Sequence, residues 1–272
     1  MMKNKMMRLA SVLLVAVLLS TCAISGTFAK YVTTASGTDT ARVAKWGIQM
    51  NSSGESTFVD EYKMETDNSK ITVDGAADVV APGTSGSALY EITGTPETAY
   101  EITFDYLVSQ EVFLGAGEYT YTGTGMTYDA SMSQTVSNTY YPIKYNYVIT
   151  TNNGTVATTG NAYVETEVGG KKTYTVNTDY NTLAEALAAL KKTTISFAAD
   201  KDKPCDVTIE LTWDWAFDQT STESKANAYD TILGDLAAGN TNLNASNTLG
   251  NGEAEYNLTV EYTLKMTATQ VN

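Results

Sequence analysis

The chain has 272 residues, of which 31 are acidic, 17 are basic and none is histidine. A net charge of −14 argues against nucleic acid as a partner, and the lack of histidine removes Ser-His-Asp and Cys-His nucleophile systems and the ordinary zinc-protease site together. With 18 tyrosines and only four prolines, the composition also argues against global disorder.

In chain order the first feature is an export signal. Lys3, Lys5 and Arg8 precede residues 9–19, which are apolar apart from Ser11. Two small-residue cleavage options follow, Thr21-Cys22-Ala23 and Thr27-Phe28-Ala29, and we favour cutting between Ala29 and Lys30. An uncleaved membrane anchor is one alternative, because residues 9–29 carry no charge. A lipoprotein signal ending at Cys22 is another. Loss of residues 1–29 takes away three cations and no acid, leaving 14 cations against 31 acids and a net charge of −17. Such a surface favours solubility and could attract divalent cations or basic wall components. Only Cys205 then remains, so no internal disulfide staples the mature chain. Its phase with Val207, Ile209, Leu211 and Trp213 places the thiol on a core face.

Residues 30–272 are expected to form a single domain. Alternating apolar and polar residues dominate it, the mark of strands with one buried and one wet face. Ala44, Trp46, Ile48 and Met50 share one face; so do Ile102, Phe104, Tyr106 and Val108, and then Ile143, Tyr145, Tyr147 and Ile149. Asn153-Gly154 reads as a hairpin turn. Residues 256–266 alternate without interruption and predict one long strand. Helix is expected in two places. Thr182 with Glu185 forms a capping box ahead of a Leu183, Leu187, Leu190 stripe that ends in Lys191 and Lys192, and a shorter helical turn spans residues 229–238 before Gly239. The Gly-, Thr- and Ser-rich stretches 114–139 and 239–252 read as surface loops. The expected fold is all-β: a two-sheet antiparallel β-sandwich, jelly-roll-like, with one or two short surface helices.

Chemistry-bearing patterns are few. Asp214 with Asp218, or Glu61 with Glu65, are possible carboxylate pairs, but such spacings are common on solvated edges of an acidic protein. Asp200 and Asp202, flanked by Lys201 and Lys203, read as a hydrated turn more than a calcium loop. Tyr119, Tyr121 and Tyr128 lie in a Gly/Thr-rich stretch and could form an exposed sugar platform. The expectation is a non-enzymatic chain with no cofactor, no metal site and no catalytic residues.

The segment Gly26-Thr27-Phe28-Ala29-Lys30-Tyr31, followed by Asp39, Ala41-Arg42-Val43-Ala44 and Trp46, resembles the start of proteins cut by the SipW-type signal peptidase, the TasA/camelysin family of Gram-positive biofilm-matrix proteins. Val80-Ala81-Pro82-Gly83-Thr84 resembles the family's proline-glycine turn, and Ala268-Thr269-Gln270 is similar to the end of its last core strand. Trp213-Asp214-Trp215-Ala216-Phe217, then Asp230-Thr231 and Leu233-Gly234, resembles a pattern in SipW-type signal-peptide proteins of anaerobic Firmicutes. The resemblance implies a secreted jelly-roll subunit of the extracellular matrix or cell surface that self-associates into fibres, alongside other matrix components, by passing an amino-terminal strand to the next copy. Residues 30–40 suit that donor: Lys30, Tyr31, Val32, Thr33 and Thr34 form the strand and Gly37 supplies a hinge. A metallopeptidase label attached to camelysin-like proteins does not carry over without histidine ligands. The alternative expectation is an adhesive or carbohydrate-binding surface module.

Overall fold

The structure is a computed structural model that describes residues 48–52, 58, 61–63, 70–72, 79–122, 133–200, 202–216, 224–247 and 252–271. The cleavage site at Ala29 and Lys30, the donor residues Tyr31, Val32, Thr33 and Thr34, and Ala44, Trp46, Tyr128, Asp218 and Glu65 lie outside the described residues.

Period-two sequence becomes strand because alternate side chains reach one buried face. The strands are β1 (Ile48–Ser52), β2 (Glu61–Lys63), β3 (Lys70–Thr72), β4 (Thr84–Gly94), β5 (Tyr100–Gln110), β6 (Phe113–Leu114), β7 (Gly117–Tyr121) and β8 (Gln134–Val136). Then come β9 (Lys144–Asn152), β10 (Thr155–Thr158), β11 (Tyr163–Val168), β12 (Lys171–Val176), β13 (Thr193–Phe197), β14 (Asp206–Trp215), β15 (Leu243–Asn247), β16 (Tyr256–Asn257) and β17 (Glu261–Gln270). Two helices, Leu183–Lys191 and Ser224–Ala237, complete the described elements. The fold is therefore mostly β, and every described strand pair is antiparallel.

A six-stranded sheet in the order β1-β4-β14-β9-β12-β11 faces a four-stranded sheet in the order β10-β13-β5-β17. Ile92, Tyr147, Ile149, Ile209 and Leu211 from the first and Tyr100, Ile102, Phe104, Ile195 and Phe197 from the second belong to one buried cluster. This is a β-sandwich core. Cys205 and Trp213 are buried in it as their phase predicted, and burial pushes the Cys205 thiol pKa up. The first helix is capped by the Thr182 side chain, which accepts from Glu185 N–H, and Glu111 accepts from Ala184 N–H at 2.7 Å. Its buried Leu183, Leu187 and Leu190 pack against β5 and β13 of one sheet and β9 of the other, so it closes an opening between them.

Four expectations need correction. The stretches taken for loops contain β7, β8 and β15, which form a third sheet in the order β15-β7-β8. Gly115 and Gly117 misled because they mark close backbone approach rather than freedom. A Cβ would stand 2.3 Å from Glu255 O at the first and 2.5 Å from Ser246 O at the second. Asn153-Gly154 turns the chain, with Asn153 at φ 65°, yet makes no hairpin. Both sides of β9 are already taken by β14 and β12, so β10 crosses to the other sheet and pairs with β13.

The long terminal strand is broken. Asn257 Oδ1 accepts from Thr259 N–H at 3.0 Å, a local turn that competes with the ladder, so β16 pairs with β6 and β17 begins at Glu261. The second helix is longer than the turn expected: it runs from Ser224 and ends where Gly239, at φ +67°, lets Asn240 N–H reach Asp235 O.

Candidate assembly edge

β17 carries the clearest functional geometry. It is an outer strand of the four-stranded sheet, hydrogen-bonded to β5 on one side; its other side, from Thr263 to Gln270, pairs with no described strand. Alternation sends Tyr262, Leu264, Met266 and Ala268 inward, where they pack against the core but stay only half-buried. Thr263, Lys265, Thr267 and Thr269 face solvent. Natural sheets shield long edges with charges, proline, bulges or short strands. β17 has ten residues, two of them charged, no proline, and an irregularity only at Glu261/Tyr262. The other outer strands of the two large sheets are shorter: β1 has five residues, β10 has four, and the six-residue β11 carries Glu165 and Glu167.

At the start of β17 the edge opens into an apolar groove of about 380 Å³, lined by Phe58, Val79, Val80, Ala237, Leu258 and Val260. Across the sandwich, the Tyr90 and Tyr262 hydroxyls lie 3.0 Å apart. Burial, followed by that hydrogen bond, pushes Tyr90 well above the ordinary phenol range, and the hydroxyl contact ties β4 to β17.

Among the described residues, the other candidates do not assemble into a site. Tyr119 is 0% exposed and its hydroxyl donates to Gly115 O, which corrects its assignment to an exposed sugar platform; the Tyr121 hydroxyl donates to Asp235. Two-residue alternation continues through this Gly/Thr-rich stretch and buries one tyrosine face against the main core. Asp214 is exposed on β14. Asp200 Oδ1 accepts from Asp202 N–H and its other oxygen meets Lys203 Nζ at 3.2 Å, so local contacts occupy this carboxylate in a turn.

Sequence reasoning assigned no role to Asp230. The second helix sets this carboxylate in the interior, 7% exposed, beside Trp215 at the end of β14. The Tyr140 hydroxyl donates to Asp230 Oδ1 at 2.9 Å. Burial pushes the carboxyl pKa up to about 6, and the Tyr140 hydroxyl and Trp215 indole oppose that only in part. Asp230 Oδ2 and Trp215 Nε1 are both buried without a well-aligned hydrogen bond, so the indole acts through proximity more than through a formed bond. An Asp between Tyr229 and Thr231, midway along the second helix, gives no sequence signal of such burial.

No protein-family model, no curated protein and no solved structure matches this chain.

Proposed function

We propose that this chain is a secreted structural subunit of an extracellular matrix, polymerised when residues 30–40 of one copy add as a strand along β17 of the next. The observation that carries the reading is the edge of β17 from Thr263 to Gln270, unpaired among the described residues, with Leu264, Met266 and Ala268 half-buried behind it. An edge strand offers main-chain N–H and C=O groups that an extended segment can pair with, at about 0.5–1.5 kcal/mol net for each hydrogen bond. Alternate residues of the incoming strand would cover the half-exposed inner side chains. Tyr31 and Thr33 share one side of that strand, and Val32 and Thr34 the other. The leader and the resemblance to the TasA/camelysin family support export, cleavage by a SipW-type peptidase and assembly outside the cell. The same reading makes the protein non-enzymatic.

Deletion of residues 30–40 tests it. Electron microscopy of the concentrated protein should show filaments for the parent and none for the deletion, whose unfolding midpoint should stay close to the parent's. Filaments that survive the deletion would sink strand exchange. Loss of the folded state would mean that the segment belongs to its own sandwich.

A further inference from the structure

The strongest feature outside the β17 edge is a cleft of about 580 Å³ between the segment 139–144 and the amino ends of the two helices. That volume lies within the range of small-molecule sites, roughly 300–1,000 Å³. Tyr140, Tyr141 and Tyr229 supply its aromatic surface. Tyr140 and Tyr229 meet edge to face with centroids 5.3 Å apart, and Tyr141 leans on Phe113. Their orientation is held from outside the cleft: the Tyr140 hydroxyl donates to buried Asp230, and the Tyr229 hydroxyl donates to Thr135 O at 3.3 Å. Rings fixed in advance lose little entropy when something packs on them.

The polar groups have one sign in excess. Lys144 and Lys225 both line the cleft, and among the described residues neither has an ion pair, whereas Lys172, Lys191 and Lys203 each meet a carboxylate. Lys144 Nζ is held by Asn181 Oδ1 at 2.6 Å. Glu185 is the one acid in the lining, and its carboxylate accepts from Asn181 N–H at 3.2 Å. The lining thus holds two cations against one acid, on a chain with 31 acids in all, and Asp214 faces Lys144 across the β9–β14 ladder. The helix dipole is not the source of this preference, because Thr182 and Glu111 already satisfy the amino end of the first helix.

We propose that this cleft binds a pyranose that carries an anionic group, either a hexuronate carboxylate or a phosphate ester. The apolar C–H face of the sugar lies on the tyrosine surface, where the electron-rich ring face favours it. The anion is placed between Lys144 and Lys225, and Asn181 offers its amide to a hydroxyl. Lys225 and Tyr229 stand near the start of the second helix, while Ala237, which lines the apolar groove, ends it. At 1.5 Å per residue, Ala237 lies about 18 Å along the helix from Lys225 and about 12 Å from Tyr229, so a sugar in the cleft leaves the β17 edge open. A matrix subunit with both features would join protein fibre to acidic polysaccharide.

Titration calorimetry on dilute monomer tests this independently of any filament. The probes are trigalacturonate, glucose 6-phosphate and neutral maltotriose. At least one anionic probe should bind, maltotriose about tenfold or more weaker, and the better of the two anionic probes identifies the source of the charge. Lys225→Glu should weaken the anionic probe about tenfold or more, while the same charge change at Lys171, in the exposed β11–β12 hairpin, should leave it unchanged. Tyr229→Ala should weaken binding in a protein whose unfolding transition remains cooperative; if it unfolds, Asn181→Ala at the exposed rim serves as the second variant. Equal affinity for maltotriose, equal loss in the Lys171 and Lys225 variants, or no binding tighter than about 10 mM for either anionic probe overturns the proposal.

Discussion

β14 and β17 have nearly the same sequence pattern and opposite fates. Val207, Ile209, Leu211 and Trp213 of β14 are sealed at 2% exposure or less, while Tyr262, Leu264, Met266 and Ala268 of β17 stay half-open. Both strands alternate apolar and polar residues, over ten positions in β14 and nine in β17. What differs is position. β14 has β4 on one side and β9 on the other, whereas β17 has β5 on one side only over Thr263 to Gln270 among the described residues. A side chain on a central strand is covered from the flanks as well as from the facing sheet, so the same residue type buries more area there. The open strand is thus the one with unspent capacity for a partner.

Trp213→Ala attacks the sealed side of this comparison and should have the largest effect, about 3–5 kcal/mol of stability in urea unfolding. Its ring is 2% exposed and lies 5.4 Å from that of Phe58. An unchanged midpoint would put the register of β14 in error.

Asp230→Asn sharpens the same region, because Asp230 is the charged exception against the end of β14. Burial raises its pKa from 3.8 in the unfolded chain to about 6 in the folded one. The native state therefore holds the proton more tightly, and this stability is fully present below pH 3.8 and lost as pH rises through about 6. Two pKa units correspond to about 3 kcal/mol, an upper bound. The stability difference between parent and variant should shift in favour of Asn by about 1–3 kcal/mol from pH 4 to pH 7. The other acids contribute equally to both proteins and cancel. A pH-independent difference would place the carboxylate in contact with water.

Leu264→Ala probes the open side and should cost only about 1 kcal/mol in the monomer, against about 2–5 kcal/mol for Leu211→Ala in β14. Equal costs for the two leucines, measured in one urea series, would erase the distinction between the sealed and open strands.

Alternation and capping were legible because they act within a few residues. The strand faces at Ile102 and Phe104, at Tyr145, Tyr147 and Ile149, and at Val207 to Trp213 all lie where period two puts them, and Thr182 caps its helix as the local spacing requires. The glycines at 115 and 117 were misread because a glycine needed for backbone contact looks the same in sequence as one needed for a bend. The cleft escaped notice because Lys144 and Lys225 are 81 residues apart and meet only through the packing of the second helix.

By itself the sequence determined an acidic, histidine-free, mostly β chain with a capped helix and a core face on each long strand, since charge, composition and side-chain alternation are local properties. Tertiary structure alone decided that β10 leaves β9 for the opposite sheet, that Asp230 is buried against Trp215, and that β17 lies at an edge while β14 lies at the centre. Strand order has this dependence for a physical reason. An alternating strand specifies which of its faces is buried, but any antiparallel neighbour can satisfy its main-chain hydrogen bonds, so the choice among neighbours falls to the packing of the whole core.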